Sequence, residues 1–223
     1  MTDSGFGNDP ATSTPVFREV YFPTLIYYQD IPEFGDLNQQ LLNAVRMERD
    51  MDSEGLARSN EPRLGGWHSK NELHRNPAFA ALTDKIMAFS REVSKTQGYD
   101  PAWPLAIDNM WSIVNPRGSH NKTHIHPNSL WSGVYYIQTP PGAGRICFTD
   151  PRTQHLMQAQ RYDPNTARTS DNWAEVFFEP TPGRILLFPS WLYHSVETNL
   201  TDATGDASDR VIISFNMYQS RGL

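Results

Sequence analysis

The sequence is short of cysteine, of long apolar runs and of excess positive charge, and each shortage removes a class of protein. One cysteine, Cys147, cannot close an internal disulfide; it suits a reducing cytoplasm, where the chain is expected to reside. No apolar run nears the ~18 to 20 residues that cross a bilayer. The opening MTDSGFGNDPATSTP has neither the basic nor the apolar region of a signal peptide. Nineteen Lys and Arg against 25 Asp and Glu leave a net charge of −6. That disfavours nucleic acid as a partner, since such affinity rests on a basic surface set against phosphates. No internal repeat or heptad pattern is present either. What remains is a chain of 223 residues, 38% of them hydrophobic, enough for one large core. Aromatics at 12%, with 17 prolines and 14 glycines, point to a strand-rich, turn-rich fold.

Residues 1–15 are too poor in apolar side chains to offset the entropy of ordering and are expected to form a flexible leader. Residues 16–223 are then expected to form a single domain, with strands and helices over 16–104 and a β core over 105–218. Val16–Phe22 reads as a strand broken by Pro23, and Leu25–Tyr28 as a second short one. Leu37, Leu41, Leu42 and Val45 have helical spacing behind Asp36, which would serve as N-cap. A second helix is expected from Pro77 in its first turn, through Phe79, Leu82, Ile86, Phe89 and Val93, to Gly98. Between them, Arg63–Ser69 is too Gly-rich for a helix and reads as loop plus strand.

From Leu105 onward, short apolar or alternating runs recur between turn signals. They are Ile107–Val114, Ser132–Gln138, Arg145–Thr149, Ala174–Phe178, Arg184–Phe188, His194–Glu197 and Arg210–Tyr218. Pro140-Pro141-Gly142 and Pro182-Gly183 mark turns, because proline presets φ and glycine accepts positive φ. Strands this short and this closely spaced predict a sandwich, jelly roll or barrel.

Three features of this half carry possible chemistry. His124-Ile125-His126 would put two imidazoles on one face of a strand, suited to adjacent positions of a first-row metal. A polar strand end gives the same short pattern, so the pair says little alone. His194 opens a strand 68 residues after His126, where an antiparallel barrel can return to the same mouth. On the last strand, Val211, Ile213, Phe215 and Met217 share one face, and Arg210, Ile212, Ser214, Asn216 and Tyr218 the other. Arg210 and Ser214 could bind a carboxylate inside a barrel, the guanidinium as a bidentate fork and the hydroxyl as a further donor.

Taken together, this order resembles the iron(II)- and 2-oxoglutarate-dependent dioxygenases, with an H-x-D/E pair, a distal His and a downstream Arg with a hydroxyl residue. The likeness is closer to a group of uncharacterised members of that superfamily. It rests on His124-Ile125-His126-Pro127-Asn128-Ser129, Ser132-Gly133-Val134-Tyr135-Tyr136, Phe148-Thr149-Asp150-Pro151-Arg152, Gly183–Ser190, His194 and Arg210–Asn216. The resemblance implies a mainly β fold, a double-stranded β-helix (cupin-like jelly roll) with the N-terminal helices packed on one sheet. It implies Fe(II) as cofactor and 2-oxoglutarate as cosubstrate, with molecular oxygen, and hydroxylation of a small-molecule or peptidyl substrate with release of succinate and CO2. Arg210 would pair with the distal carboxylate of 2-oxoglutarate, and Ser214, Asn109, Tyr136 and Asn216 would be further cofactor-binding residues.

One position departs from the superfamily, because His126 stands where a carboxylate is usual. A ferrous ion on three neutral imidazoles keeps its full double charge, which favours an added anionic ligand. His124, His126 and His194 would bind together, or Asp150 would supply a carboxylate, or His126 would support a ligand without touching the metal. Trp67, His68 and Trp131 could edge a substrate mouth, while Trp111 and Tyr135 fit core filling equally well. Two other readings share the residues: a three-histidine iron dioxygenase that uses no 2-oxoglutarate, and a non-catalytic cupin-like module that binds a metal or ligand. Arg210 separates them from the first, since it has a function only where a keto acid binds.

Overall fold

The computed structural model describes residues 17–157 and 160–221. Its strands are β1 (Tyr27–Asp30), β2 (Trp67–His68), β3 (Leu105–Asn115), β4 (Asn121–His124), β5 (Trp131–Gln138), β6 (Ile146–Thr149), β7 (Glu175–Phe178), β8 (Arg184–Pro189), β9 (His194–Val196) and β10 (Arg210–Gln219). They form two antiparallel sheets, one in the order β1-β8-β5-β10-β3-β2 and the other β4-β9-β6-β7. From β3 to β10 successive strands change sheet at every step except β6 to β7, which pair within the four-stranded sheet, as in a jelly roll. The helices are α1 (Gly35–Met51), α2 (Gly55–Arg58), α3 (Ala80–Gln97) and α4 (Thr153–Leu156). Among the described residues no helix is long and apolar enough to cross a membrane.

The six-stranded sheet is buried on both faces, which explains the unbroken apolar run Ile185–Phe188 in β8. Ile185 and Leu187 point outward to a core completed by Leu41 and Val45 of α1 and Leu82, Ile86 and Val93 of α3. Leu186 and Phe188 point inward and meet Val134 and Tyr136 of β5 and Ile146 and Phe148 of β6 between the sheets. The same parity divides β10. Val211, Ile213, Phe215 and Met217 join the helix-covered core, as their pattern predicts. Arg210, Ile212 and Ser214 therefore face the space between the sheets, not solvent. Gly133 is required on β5 because a Cβ there would run into the Phe215 ring and the Leu186 carbonyl.

The seven strands expected after Leu105 are all present. The sequence does not reveal β4, because Asn-Lys-Thr-His carries no apolar residue to mark a face. The strand expected over Val16–Phe22 is absent where it can be judged: Val16 lies outside the described residues, and residues 17–22 are exposed and belong to neither sheet. Phe22 has φ 59°, which breaks any extended run. The first strand instead begins two residues later than expected, at Tyr27, where β8 offers an edge. Asp36 is not the N-cap of α1; Phe34 holds that position, and Asp36 lies in the first turn, where its charge complements the helix dipole. The Pro77–Gly98 helix begins as a 3-10 turn over Pro77–Phe79, capped by Asn76, and closes with Gly98 at φ 67°.

Candidate functional site

His124 ends β4 and His194 begins β9, and the two are register partners across that strand pair. His126 is not on a strand. It lies in the turn after β4, with its backbone N–H bonded to the Ser190 carbonyl at 2.9 Å. That bond, more than strand parity, brings its ring back to the other two. One nitrogen from each of His124, His126 and His194 lies within 4.8 Å of the others. Ring centroids are 5.1 Å apart for His124 and His126, 4.2 Å for His124 and His194, and 5.2 Å for His126 and His194.

Two of the rings are held by the backbone. His124 Nδ1 lies 2.7 Å from the Lys122 carbonyl, and His194 Nδ1 lies 2.9 Å from that of Leu192. A carbonyl only accepts, so each Nδ1 carries the proton and each Nε2 keeps its lone pair for a metal. Burial, and then the neighbouring His124, hold His194 down at about 3 and His126 at about 4. Both are therefore neutral, and so able to act as ligands, at physiological pH.

The other end of the same cavity is formed by Arg210 and Tyr136. Arg210 is 1% exposed and Tyr136 3%. Arg210 donates through Nη1 to the carbonyls of Ala143 and Glu197, whereas its buried Nε and Nη2 have no partner. No ion pair among the described residues neutralises it. Burial lowers it only to about 10, so the guanidinium remains charged. Burial raises the Tyr136 hydroxyl, which stays protonated and can donate. A buried cation with two unmet donors, facing a cavity beside a phenol, is a receptor for an anion.

Ser214 lines this cavity but pairs in register with Trp111 and Val134, nearer the histidines. Four residues of strand separate its backbone from that of Arg210 by roughly 13 Å, which sets it toward the other part of the cavity. Ile212 occupies the place between them. Asn109 and Asn216 face the same side but bond each other at 2.9 Å. Ser132 Oγ donates to Asn216 at 2.7 Å, and Asn109 donates to Asp108 at 3.0 Å. They form an amide ladder across three strands, with Ser132 as its point of contact with the cavity. Asp150 is outside the metal cluster: its carboxylate is bonded by Arg152 and His155, each at 2.8 Å, and the Arg152 bond in particular lowers it to about 2.

Trp67 and Trp131 do not edge a mouth. Both are in the core, Trp67 donating to the Asp52 carbonyl and Trp131 to the Tyr99 hydroxyl. His68 is close to the site, stacked on Trp111, which in turn stacks on His126. Asn121 also lines the cavity and accepts a bond from Asn115 at 3.1 Å, a role no sequence pattern marks.

A family model described as "Putative 2OG-Fe(II) oxygenase" matches residues 109–216. No curated protein matches the chain. Among solved structures, a Pseudomonas putida prolyl-4-hydroxylase is similar at 16% identity and TM-score 0.54, covering 89% of this chain and 94% of its own. A Trichoplax adhaerens prolyl hydroxylase, in complex with a peptide fragment of the hypoxia inducible factor oxygen degradation domain, gives 13% and 0.55 over 86% and 83%. HygX from Streptomyces hygroscopicus, with nickel and 2-oxoglutarate bound, gives 13% and 0.55 over 87% and 82%. At such identities these three speak for the fold, a jelly roll. The family match takes in every residue that lines the cavity, so it is through this site-bearing stretch, residues 109–216, that the chain is similar to the 2OG-Fe(II) oxygenases.

Proposed function

We propose that this chain is an Fe(II)- and 2-oxoglutarate-dependent dioxygenase that hydroxylates its substrate with release of succinate and CO2. The observation that carries this reading is Arg210, whose buried Nε and Nη2 lack partners in the cavity that also presents the three histidines. A zinc or iron site with no keto acid would leave that charge without a purpose. Three neutral imidazoles, two with Nε2 fixed as acceptor, fit a divalent first-row metal; a dianionic keto acid fits the metal's uncancelled charge at one end and Arg210 at the other.

His124, His126 and His194 would hold the ion, and bound ferrous iron supplies the redox chemistry that couples decarboxylation of 2-oxoglutarate by oxygen to oxidation of a substrate C–H bond. Arg210 binds the distal carboxylate through its two free donors, and Tyr136 adds a hydroxyl. Ser214, nearer the metal, is a donor for the keto-acid end. Val134, Ile146, Phe188 and Ile212 wall the cavity with apolar surface and exclude bulk water. Small-molecule and peptidyl substrates both remain within the class; the Trichoplax neighbour holds a peptide fragment.

The ligand set also suits a three-histidine dioxygenase without a keto acid, which has no use for Arg210. Anaerobic titration of the Fe(II)-loaded protein with 2-oxoglutarate separates the two. The expected result is a visible metal-to-ligand charge-transfer band that is lost in Arg210→Ala and in His194→Ala. Bound iron with no band in the unaltered protein would reject the proposal in favour of the second reading.

A further inference from the structure

The three histidines are not held alike. His124 and His194 each have an Nδ1 bonded to a carbonyl, but no hydrogen bond reaches the His126 ring among the described residues. What touches that ring is aromatic. Trp111 lies against it at 5.9 Å between centroids with planes 25° apart, and His194 lies on another side at 5.2 Å and 11°. Trp111 is also stacked with His68, at 5.7 Å and 11°. His68 is itself fixed, with Nδ1 bonded to the Ser69 carbonyl at 2.6 Å and its own carbonyl bonded by Arg58 at 3.2 Å.

The geometry points to Trp111, backed by His68, as the positioning residue for His126, replacing by stacking the hydrogen bond the other two ligands have. The indole is thus stacked with two imidazoles, one of them that of His126. The stack also has a preferred state. An imidazole bound to a divalent cation carries part of its positive charge, and the negative face of an indole attracts such a ring more than a neutral one. Trp111 therefore favours His126 in its ligating orientation, where a hydrogen bond to a carbonyl would act through the tautomer.

This inference rests on the three histidines binding a metal, and its test keeps the two apart. Co(II) is titrated into the purified protein and followed by its visible ligand-field absorption, for the unaltered chain, Trp111→Leu, His126→Ala and the double variant. Removing an outer partner of a metal ligand costs about tenfold or more in affinity, so Trp111→Leu is expected to weaken Co(II) binding by about tenfold. Trp111→Phe, which keeps an aromatic face, should recover most of the loss. With His126→Ala already present, Trp111→Leu should cause no further loss, because Trp111 acts only through that ring. If Trp111→Leu does not fold, His68→Ala, which removes only the outer layer, enters the same cycle with a smaller expected effect. Equal losses with and without His126, or normal affinity in Trp111→Leu, would overturn the inference and leave the metal site intact. Absence of Co(II) binding by the unaltered protein would overturn both.

Discussion

His124 and His194 use one local device twice. They face each other as register partners, with rings 4.2 Å apart, and each gives Nδ1 to the carbonyl two residues before it. Two candidate metal ligands are thus aimed by backbone alone. Co(II), or Fe(II) under nitrogen, should therefore raise the thermal midpoint of the unaltered protein. Metal at a hundred times its dissociation constant stabilises by about 2.7 kcal/mol. His124→Ala and His194→Ala should show no rise, and His126→Ala a reduced one. A full rise in either of the first two would remove that residue from the ligand set.

Arg210 should separate keto-acid binding from metal binding. Lysine keeps the charge but not the planar fork that fills Nε and Nη2. Truncating one partner of a buried charge pair costs about 2–5 kcal/mol. Arg210→Ala should therefore weaken 2-oxoglutarate by at least about thirtyfold, and Arg210→Lys by less, with Co(II) affinity unchanged in both. Calorimetric titration of each ligand reads the two constants independently. Ser214→Ala, by contrast, should change the charge-transfer band more than the affinity, since it sits at the metal end of the cavity.

The buried histidines also set a pH dependence for the metal-free protein. His194 and His126 lie at about 3 and about 4 in the fold, against an ordinary value of 6.5. Between pH 6.5 and 4 the unfolded chain binds the more protons, so stability rises with pH over that interval and is lost on acidification. For His194, the more buried of the two, the loss between pH 7 and 5 is at most about 2 kcal/mol. Urea midpoints at pH 7 and 5 measure it, and His194→Gln should flatten the slope. An unchanged slope in that variant would show that other groups control the acid limb.

How much of this could be read from the chain follows from what each feature depends on. The β core was legible because β5, β6, β8 and β10 bury whole faces, which imposes short apolar runs between Pro and Gly turns. His124, His126 and His194 were legible from residue type and order. The device that gathers them was not, because His126 is placed by its backbone bond to Ser190, and a backbone bond leaves no mark in residue type. The same limit applies to Ser214 and Asn109. Parity gave each the correct face, but face alone fixes neither how far along the strand Ser214 stands from Arg210 nor the bond from Asn216 that ties Asn109 into an amide ladder. Trp67 and Trp131 show the converse: by residue type alone either could edge a mouth until its indole N–H is seen to end on an acceptor inside the protein.

Asn38 was invisible to sequence reading and gives the last prediction. It sits on the buried face of α1, where its Nδ2 donates to the Ile137 carbonyl at 2.8 Å and its Oδ1 accepts from the Tyr135 hydroxyl. One amide thus ties the helix to β5, the strand whose opposite face carries Val134 and Tyr136 into the cavity. Asn38→Leu fills similar volume but strands a buried phenol, and burying an unpaired polar group costs about 1–3 kcal/mol. Tyr135→Phe alone should cost less, since the amide keeps its bond to Ile137. Combined with Asn38→Leu it should recover part of the loss, because the orphaned hydroxyl is gone. Urea unfolding of the four proteins gives the coupling, expected at about 1 kcal/mol or more for residues in direct contact. Strictly additive losses would mean that the helix is held to the sheet by apolar packing alone, and that the Asn38 amide merely occupies a place there.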